Sequence, residues 1–292
     1  MKKYIIIIPV FNDWKSVFKL IENIDLQITT QKIDIIVIND ASTESFEISD
    51  KRYFKIKSIK FLNLIKNAGH CQGIATALKY CNDKFEFDYI IPMDGDGEDR
   101  PEELKKFFEL NEISNSEVIT ANRIKRSEGF FFKICYSFHK ILTYLMIGKM
   151  VRFGNYSCLS KLAVNKVLSN GSVWLSFSGS IIKNFSSSIV SIESVRGIRY
   201  FGPSKMNFLK LILHSLNISA AFREIIFIRS TLLVIFFSYA AYETTFSYFL
   251  IPATLSWIFM LFMFFLSRHD DLKKLESSSS NIRDLTTFYS RQ

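Results

Sequence analysis

Cysteine is sparse and irregularly spaced in this 292-residue chain: Cys71, Cys81, Cys135 and Cys158 contain no C-x-x-C pair. That spacing implies neither a zinc site nor a disulfide framework, and it points to a reducing compartment. No G-x-G-x-x-G follows the first apolar run, which argues against a dinucleotide-binding enzyme. A basic helix, a zinc finger and an aromatic RNA-binding pattern are all missing, so nucleic acid is not an expected partner. No internal repeat is evident. The start, MKKYIIIIPVFND, is basic and then apolar, but the run ends at Pro9, Asn12 and Asp13 with no small-residue cleavage site after it. It reads as a first strand rather than a secretory leader. Acids are also locally scarce: between Arg152 and Phe185 there is no Asp or Glu, and Glu193 is the only acid from 129 to 223.

What the chain has in abundance is apolar surface and positive charge. Apolar residues make up 48%, including 29 Phe, and 37 Lys+Arg against 28 Asp+Glu leave a net charge of +9. This balance suits an anionic membrane surface or a phosphorylated substrate. Against it stands one acidic cluster, in YIIPMDGDGEDRPEEL at 89–104. A short apolar run ends on Asp94-Gly95-Asp96, with Glu98 and Asp99 behind and a helix start at Arg100-Pro101. Carboxylates at a strand's C-terminal end sit where open α/β sheets bind ligands. Two acids one residue apart repel unless they share a cation, and all-oxygen ligands suit Mg²⁺ or Mn²⁺. A pattern this short also fits a solvated loop capping the next helix, so the rest of the chain has to decide.

Through residue 122 strands and helices alternate, which predicts an α/β fold with a mostly parallel sheet and helices on both faces. Strands are expected at 4–8, 34–38, 56–64, 89–93 and 117–121, and helices at 13–27, 72–82 and 101–112. A polar signal closes each strand: Asn12-Asp13, Asn39-Asp40-Ala41-Ser42, Asn67-Ala68-Gly69, the Asp94 cluster and Asn122-Arg123. Residues 130–150 fit either a core helix or one at a membrane interface. A short helix capped by Ser160 is expected over 160–170, a strand over 189–201, and a basic loop over 197–206. Residues 246–266 carry no charge over 21 residues, and 225–242 carry only Arg229. Both are long enough to cross a bilayer, as a hairpin. Arg223 and Arg229 before it, with Arg268, Lys273 and Lys274 after it, place both ends in the cytoplasm. The resulting division is a catalytic domain over 1–205, an interfacial helix over 206–224, two spans over 225–268 and a polar cytoplasmic tail over 269–292, loose over 276–292.

In order and spacing, Pro9-Val10-Phe11-Asn12-Asp13, Asn39-Asp40-Ala41-Ser42, Asn67-Ala68-Gly69, Asp94 to Glu102, Asn122-Arg123 and Arg199 to Lys205 resemble family 2 glycosyltransferases of the GT-A fold. Among these the chain looks most like the dolichol- and polyprenyl-phosphate sugar synthases. The resemblance covers residues 4–206 and extends to the hairpin. It implies that Pro9, Phe11, Asn12, Asp13 and Asp40 hold the base and ribose of a nucleotide-sugar, and that Asn67 and Gly69 also bind substrate. It implies that Asp94 meets the ribose and sugar, that Asp96 coordinates Mg²⁺ or Mn²⁺ on the diphosphate, with Asp94 a second metal candidate, and that Asp99 binds substrate. Arg123, Arg199 and Lys205 would meet phosphates, with Arg126 a weaker candidate, and Ser204 would bind substrate.

The scarcity of late acids then bears on the acceptor. A sugar hydroxyl needs a general base, whereas a phosphate is already anionic. An inverting transferase acting on polyprenyl phosphate at the cytoplasmic face, in contact with membrane lipids, is therefore expected; transfer to a hydroxyl of a lipid-linked glycan is the alternative. A non-catalytic nucleotide-sugar binder is the second alternative, and homo-oligomerisation stays open. Three positions depart from the family pattern: Asn39 stands for a usual Asp, Asp13 for Glu, and Gly154-Asn155-Tyr156-Ser157 for an acid followed by Phe-Arg.

Overall fold

The computed structural model describes residues 1–46, 52–125, 144–145, 147–148, 153–203, 208–268 and 272–291. The helix expected over 130–150 lies almost wholly outside these residues. Eight strands form one sheet: β1 (Lys3–Val10), β2 (Lys32–Asn39), β3 (Ser58–Leu64), β4 (Tyr89–Pro92), β5 (Val118–Lys125), β6 (Phe153–Ser160), β7 (Ile189–Val195) and β8 (Ile282–Ser290). Their order across the sheet is β7-β5-β6-β4-β1-β2-β3-β8. Strands β3, β2, β1 and β4 run parallel, β5 pairs parallel with β7, and β6 and β8 run against their neighbours. The central run Ile5-Ile6-Ile7-Ile8 is buried on both faces, as expected of a parallel strand covered on both sides. Each of these side chains contributes about 1.5–3 kcal/mol by leaving water.

Helices α1 (Trp14–Gln27) and α3 (Leu104–Ser114) cover one face through Leu20, Ile24, Leu104 and Phe107. On the other face lie α2 (His70–Lys84), α4 (Lys161–Leu168), α5 (Ser172–Leu175) and α6 (Phe177–Phe185), packed through Leu78, Val164, Phe177 and Ile181. Ser160 caps α4 by accepting from Ala163 N at 3.2 Å, as its position before the apolar run predicts.

Three further helices follow: α7 (Phe208–Ala220), α8 (Arg223–Thr244) and α9 (Leu250–Ser267). Helices α8 and α9 are long and apolar enough to cross a membrane, and only 11% of each apolar window is buried. A soluble core helix would be mostly buried, so these two faces await another apolar medium. Leu175, Ile182, Phe222, Ile226 and Met263 join the hairpin to the sheet domain. Arg229 donates to the carbonyls of Tyr144 (3.4 Å) and Leu145 (2.6 Å).

The expectation of a loose tail over 276–292 is corrected. After a short helix, α10 (Leu272–Ser277), the chain returns as β8 and pairs antiparallel with β3 from Ser58↔Ser290 to Leu64↔Ile282. An unpaired edge would leave a row of backbone donors and acceptors open to other chains. Here the protein's own C-terminal segment covers it. Phe288 packs among Phe18, Phe46 and Phe61, with ring centroids 5.1–6.4 Å away. Tyr289 Oη donates to Tyr53 O at 2.5 Å. Phe288→Ala should cost about 2 kcal/mol, lowering the thermal midpoint by roughly 4–8 °C when unfolding is followed by circular dichroism; an unshifted midpoint would show that β8 does not hold the edge.

Candidate functional site

Strand β4 stops after four residues because Asp94 and Asp96 follow, and the loop they form rests on the end of β1. Gly95 makes that approach: a Cβ there would stand 2.9 Å from Val17 Cγ2 and 3.2 Å from Pro9 O. Asp99, 3% exposed, secures the loop from below. One of its oxygens accepts from Asp94 N at 3.0 Å and the other faces Arg123 Nη2 on β5 at 3.2 Å. Asp96 accepts from Glu98 N at 3.0 Å and pairs with Arg199, whose Nη2 also lies 3.5 Å from Asp13 Oδ2. Asp94 Oδ1 stands 3.2 Å from His70 Nε2, at ion-pair distance but not aligned as a hydrogen bond. Asn155 Nδ2 on β6 reaches the same ring nitrogen at 2.7 Å.

The charges in this loop are strongly interdependent. Burial, then the Asp94 charge, push Asp96 and Asp99 above the usual carboxylate range. Burial opposes ionisation of Asp94 too, but His70 and Arg123 outweigh it and hold that carboxyl low. Burial acts against charging His70, and the three neighbouring aspartates raise its pKa nonetheless. A cation between Asp94 and Asp96 would relieve the repulsion that the two arginines only partly offset. No group of three His, Cys, Asp or Glu side chains able to hold a metal occurs among the described residues. A two-carboxylate loop fits a cation that takes its remaining oxygens from phosphate and water.

Beside this loop, the ends of β1, β2 and β3 form a second polar group. Asp40 is buried, and its oxygens accept from Ala68 N (2.6 Å) and Gly69 N (3.0 Å), while Asn67 Nδ2 donates to Asp40 O at 3.1 Å. Asp40 thus fastens the Asn67-Ala68-Gly69 turn to β2. Asn12, at φ +51°, has its Oδ1 bridging Thr43 N (2.9 Å) and Glu44 N (3.1 Å). Phe11 stands 45% exposed at the rim.

A strap covers the acidic loop. After β7, Gly197 N donates to Glu98 O at 2.8 Å and Tyr200 N to Asp96 O at 2.9 Å, while Arg196 Nε meets Glu98 Oε2 at 2.8 Å. The strand expected over 189–201 therefore ends at Val195, because the chain beyond it bonds to the loop instead of to the sheet.

The structure brings Pro9, Asn12, Asp13, Asp40, Asn67, Gly69, Asp94, Asp96, Asp99, Arg123 and Arg199 to one edge of the sheet. Ser204, Lys205 and Arg126 lie outside the described residues. Sequence reasoning missed His70, Asn155, Gly97 and Gly197. His70 follows Asn67-Ala68-Gly69 directly, and a helix start beside a strand-end motif was its available signal. His214 on α7 was missed as well: burial lowers its pKa, His70 adds to this and Asp94 opposes it, which makes it a neighbour of the same group. A cavity of about 420 Å³ lined by Lys3, Lys32, Lys55, Lys57 and Arg291 lies at the opposite strand ends, away from the acidic loop.

A profile of glycosyl transferase family 2 matches residues 5–161, more than half of the chain, including the strand ends that carry Asn12, Asp40, Asn67, Asp94 and Arg123. The chain belongs to glycosyl transferase family 2. The undecaprenyl-phosphate 4-deoxy-4-formamido-L-arabinose transferase of Klebsiella pneumoniae is 23% identical over 219 residues, 73% of this chain and 65% of that protein. An uncharacterized protein of Methanocaldococcus jannaschii is 25% identical over 145 residues, 49% of this chain and 62% of that one. The chain thus spans less than two thirds of the length of these curated relatives. Glucosyl-3-phosphoglycerate synthase from Mycobacterium tuberculosis, solved with Mn²⁺, UDP and glucosyl-3-phosphoglycerate, shares the fold. Its TM-score is 0.53 at 13% identity, covering 77% of this chain and 80% of that one. The family 2 domain of this chain is therefore an α/β glycosyltransferase domain of GT-A type, followed by two apolar helices.

Proposed function

We propose that this glycosyltransferase is anchored in a membrane by α8 and α9. It would transfer one sugar, with inversion, from a UDP- or GDP-sugar to polyprenyl phosphate at the cytoplasmic face. The observation that carries this is the placement of Asp94, Asp96, Arg123 and Arg199 around one strand end, in a domain joined to an apolar hairpin. Relatives named for undecaprenyl-phosphate transfer support the acceptor class.

In this reading Asp96, with Asp94 beside it, holds Mg²⁺ or Mn²⁺. Such a cation, when bound, neutralises the charge that develops on the departing nucleoside diphosphate. The strand-end loops of Asn12, Asp40 and Asn67 hold the nucleoside. Arg123 is braced by Asp99 and Arg199 by Asp13, so both guanidinium groups are already positioned to meet phosphate oxygens. On the acceptor side a hydroxyl would need a general base, and the one late acid, Glu193, is solvent-exposed on edge strand β7. A phosphate nucleophile needs none.

One feature favours the other acceptor class: His70 beside Asp94 is a histidine–carboxylate pair of the kind that can take a proton from a hydroxyl. A single assay separates the two. Purified protein is incubated with labelled UDP- or GDP-sugars and either polyprenyl phosphate or a lipid-linked glycan, with Mn²⁺ or with EDTA. Metal-dependent formation of a lipid product that mild acid cleaves is the expected result. A product that survives mild acid, or transfer only to a glycan hydroxyl, would overturn the phosphate acceptor.

A further inference from the structure

A row of polar side chains crosses the sheet from the C-terminal strand to the nucleotide end of the site. Asp284 on β8 stands opposite Asn63 on β3, and Asn63 opposite Asn39 on β2. Asn63 Nδ2 donates to Asp284 Oδ1 at 2.5 Å and lies 3.3 Å from Thr286 Oγ1. Asn39 Nδ2 donates to Asn63 Oδ1 at 2.9 Å, and Asn39 Oδ1 accepts from Ser42 N at 3.0 Å. Ser42 Oγ in turn accepts from Asn12 N at 3.1 Å. The row ends on two loops whose residues Asn12 (φ +51°) and Ala41 (φ +56°) hold left-handed backbone without being glycine, a conformation that neighbouring contacts must maintain.

The direction of this row is not arbitrary. An ionised carboxylate only accepts hydrogen bonds. Asp284 therefore obliges Asn63 to turn its amide nitrogen towards β8 and its oxygen towards β2. Residue 39 must then donate, which an Asn does and an ionised Asp cannot. This accounts for the amide at a position where the family pattern has an acid. The carboxylate that sets this polarity stands two strands away, on a segment that follows the apolar hairpin, and Asn63 relays it.

We infer that Asp284 is a positioning residue for the donor-nucleotide loops, acting through Asn63 and Asn39 on Ser42 and Asn12. The inference rests on the donor site proposed above. It makes the strand that returns after the hairpin part of the machinery that shapes nucleotide binding.

The test is a double-mutant cycle on the full-length protein in detergent, with UDP and GDP binding measured by calorimetry and the donor KM and kcat measured alongside. Asn39→Asp alone sets two acceptors face to face, whichever way Asn63 turns. It is expected to weaken binding of the preferred nucleotide and raise the donor KM by about tenfold, with kcat little changed. Asp284→Asn alone replaces a charged acceptor by a neutral one and should weaken binding about two- to threefold. With both changes Asn63 can reverse, since the new amide at position 284 donates to it and the new carboxylate at position 39 accepts from it. Affinity should then return to within about threefold of the original. A merely structural role for the row would not produce that rescue in KM. If the unaltered chain binds neither UDP nor GDP, the donor reading itself fails. If it binds, but Asn39→Asp binds equally well or the double variant binds no better than Asn39→Asp, the row alone is overturned.

Discussion

Asp96→Asn is expected to reduce metal-dependent transfer by about 10³-fold while leaving the fold intact. The amide can still accept from Glu98 N, the bond that now shapes the loop at 3.0 Å, so no large change in thermal midpoint should accompany the loss. What disappears is a charge whose pKa burial and Asp94 already push up. Its pKa stays raised despite Glu98 N and Arg199, which suits the carboxylate to a cation brought in with the diphosphate. The same substitution frees Arg199 from its pair with Asp96 and leaves its pair with Asp13. The arginine then keeps its capacity to bind phosphate, and the defect should fall on kcat and on metal affinity more than on donor affinity. Titrating Mn²⁺ into the variant, with donor binding measured separately, checks this split. A variant retaining more than about a tenth of the activity would remove Asp96 from the metal; no transfer by the unaltered chain, with full cellular function kept by Asp96→Asn, would instead support a non-catalytic role.

The parts of the site that lie within one strand-end motif were legible in the sequence. Apolar β-branched runs such as Ile5 to Ile8 and Ile35 to Ile38 end in polar residues, and topology sets those ends side by side. Contacts between motifs were not legible. Nothing local tells that Asp40 is occupied by the amides of Ala68 and Gly69, or that Asp99 braces Arg123. Such roles depend on which side chain is buried, and burial is decided by the sheet order. His70 and Asn155 meet only because β6 inserts beside β4. Strand β8 was misread as tail for a related reason. Its sequence, IRDLTTFYS, is short, polar and weakly alternating because it is an edge strand half open to solvent. The residues that recruit it, Phe61 and Asn63, lie more than 220 positions earlier.

Gly197→Ala should nearly abolish activity by a different route. A Cβ on Gly197 would sit 2.3 Å from Gly97 O and 3.3 Å from Glu98 O, and both are backbone atoms that no rotamer change can move aside. The strap must then lift from the acidic loop. Lifting it breaks the bonds from Gly197 N to Glu98 O and from Tyr200 N to Asp96 O, and withdraws Arg199 from Asp96 and Asp13. The expected cost is at least about 10²-fold in kcat/KM, since a displacement of about 1 Å at a catalytic group is enough for that. The scaffold should tolerate the change, because Val195 and the residues before it remain paired with β5. Gly97→Ala offers a graded comparison. Its Cβ would meet the Tyr200 ring at 2.6 Å, a side chain that can swing away at the loss of its bond from Asn23, although the φ of +90° there remains strained. Transfer assays beside thermal unfolding of both variants should therefore rank Gly197→Ala as the more damaging to catalysis at comparable stability. Equal and mild effects would mean that the strap does not set the geometry of Arg199.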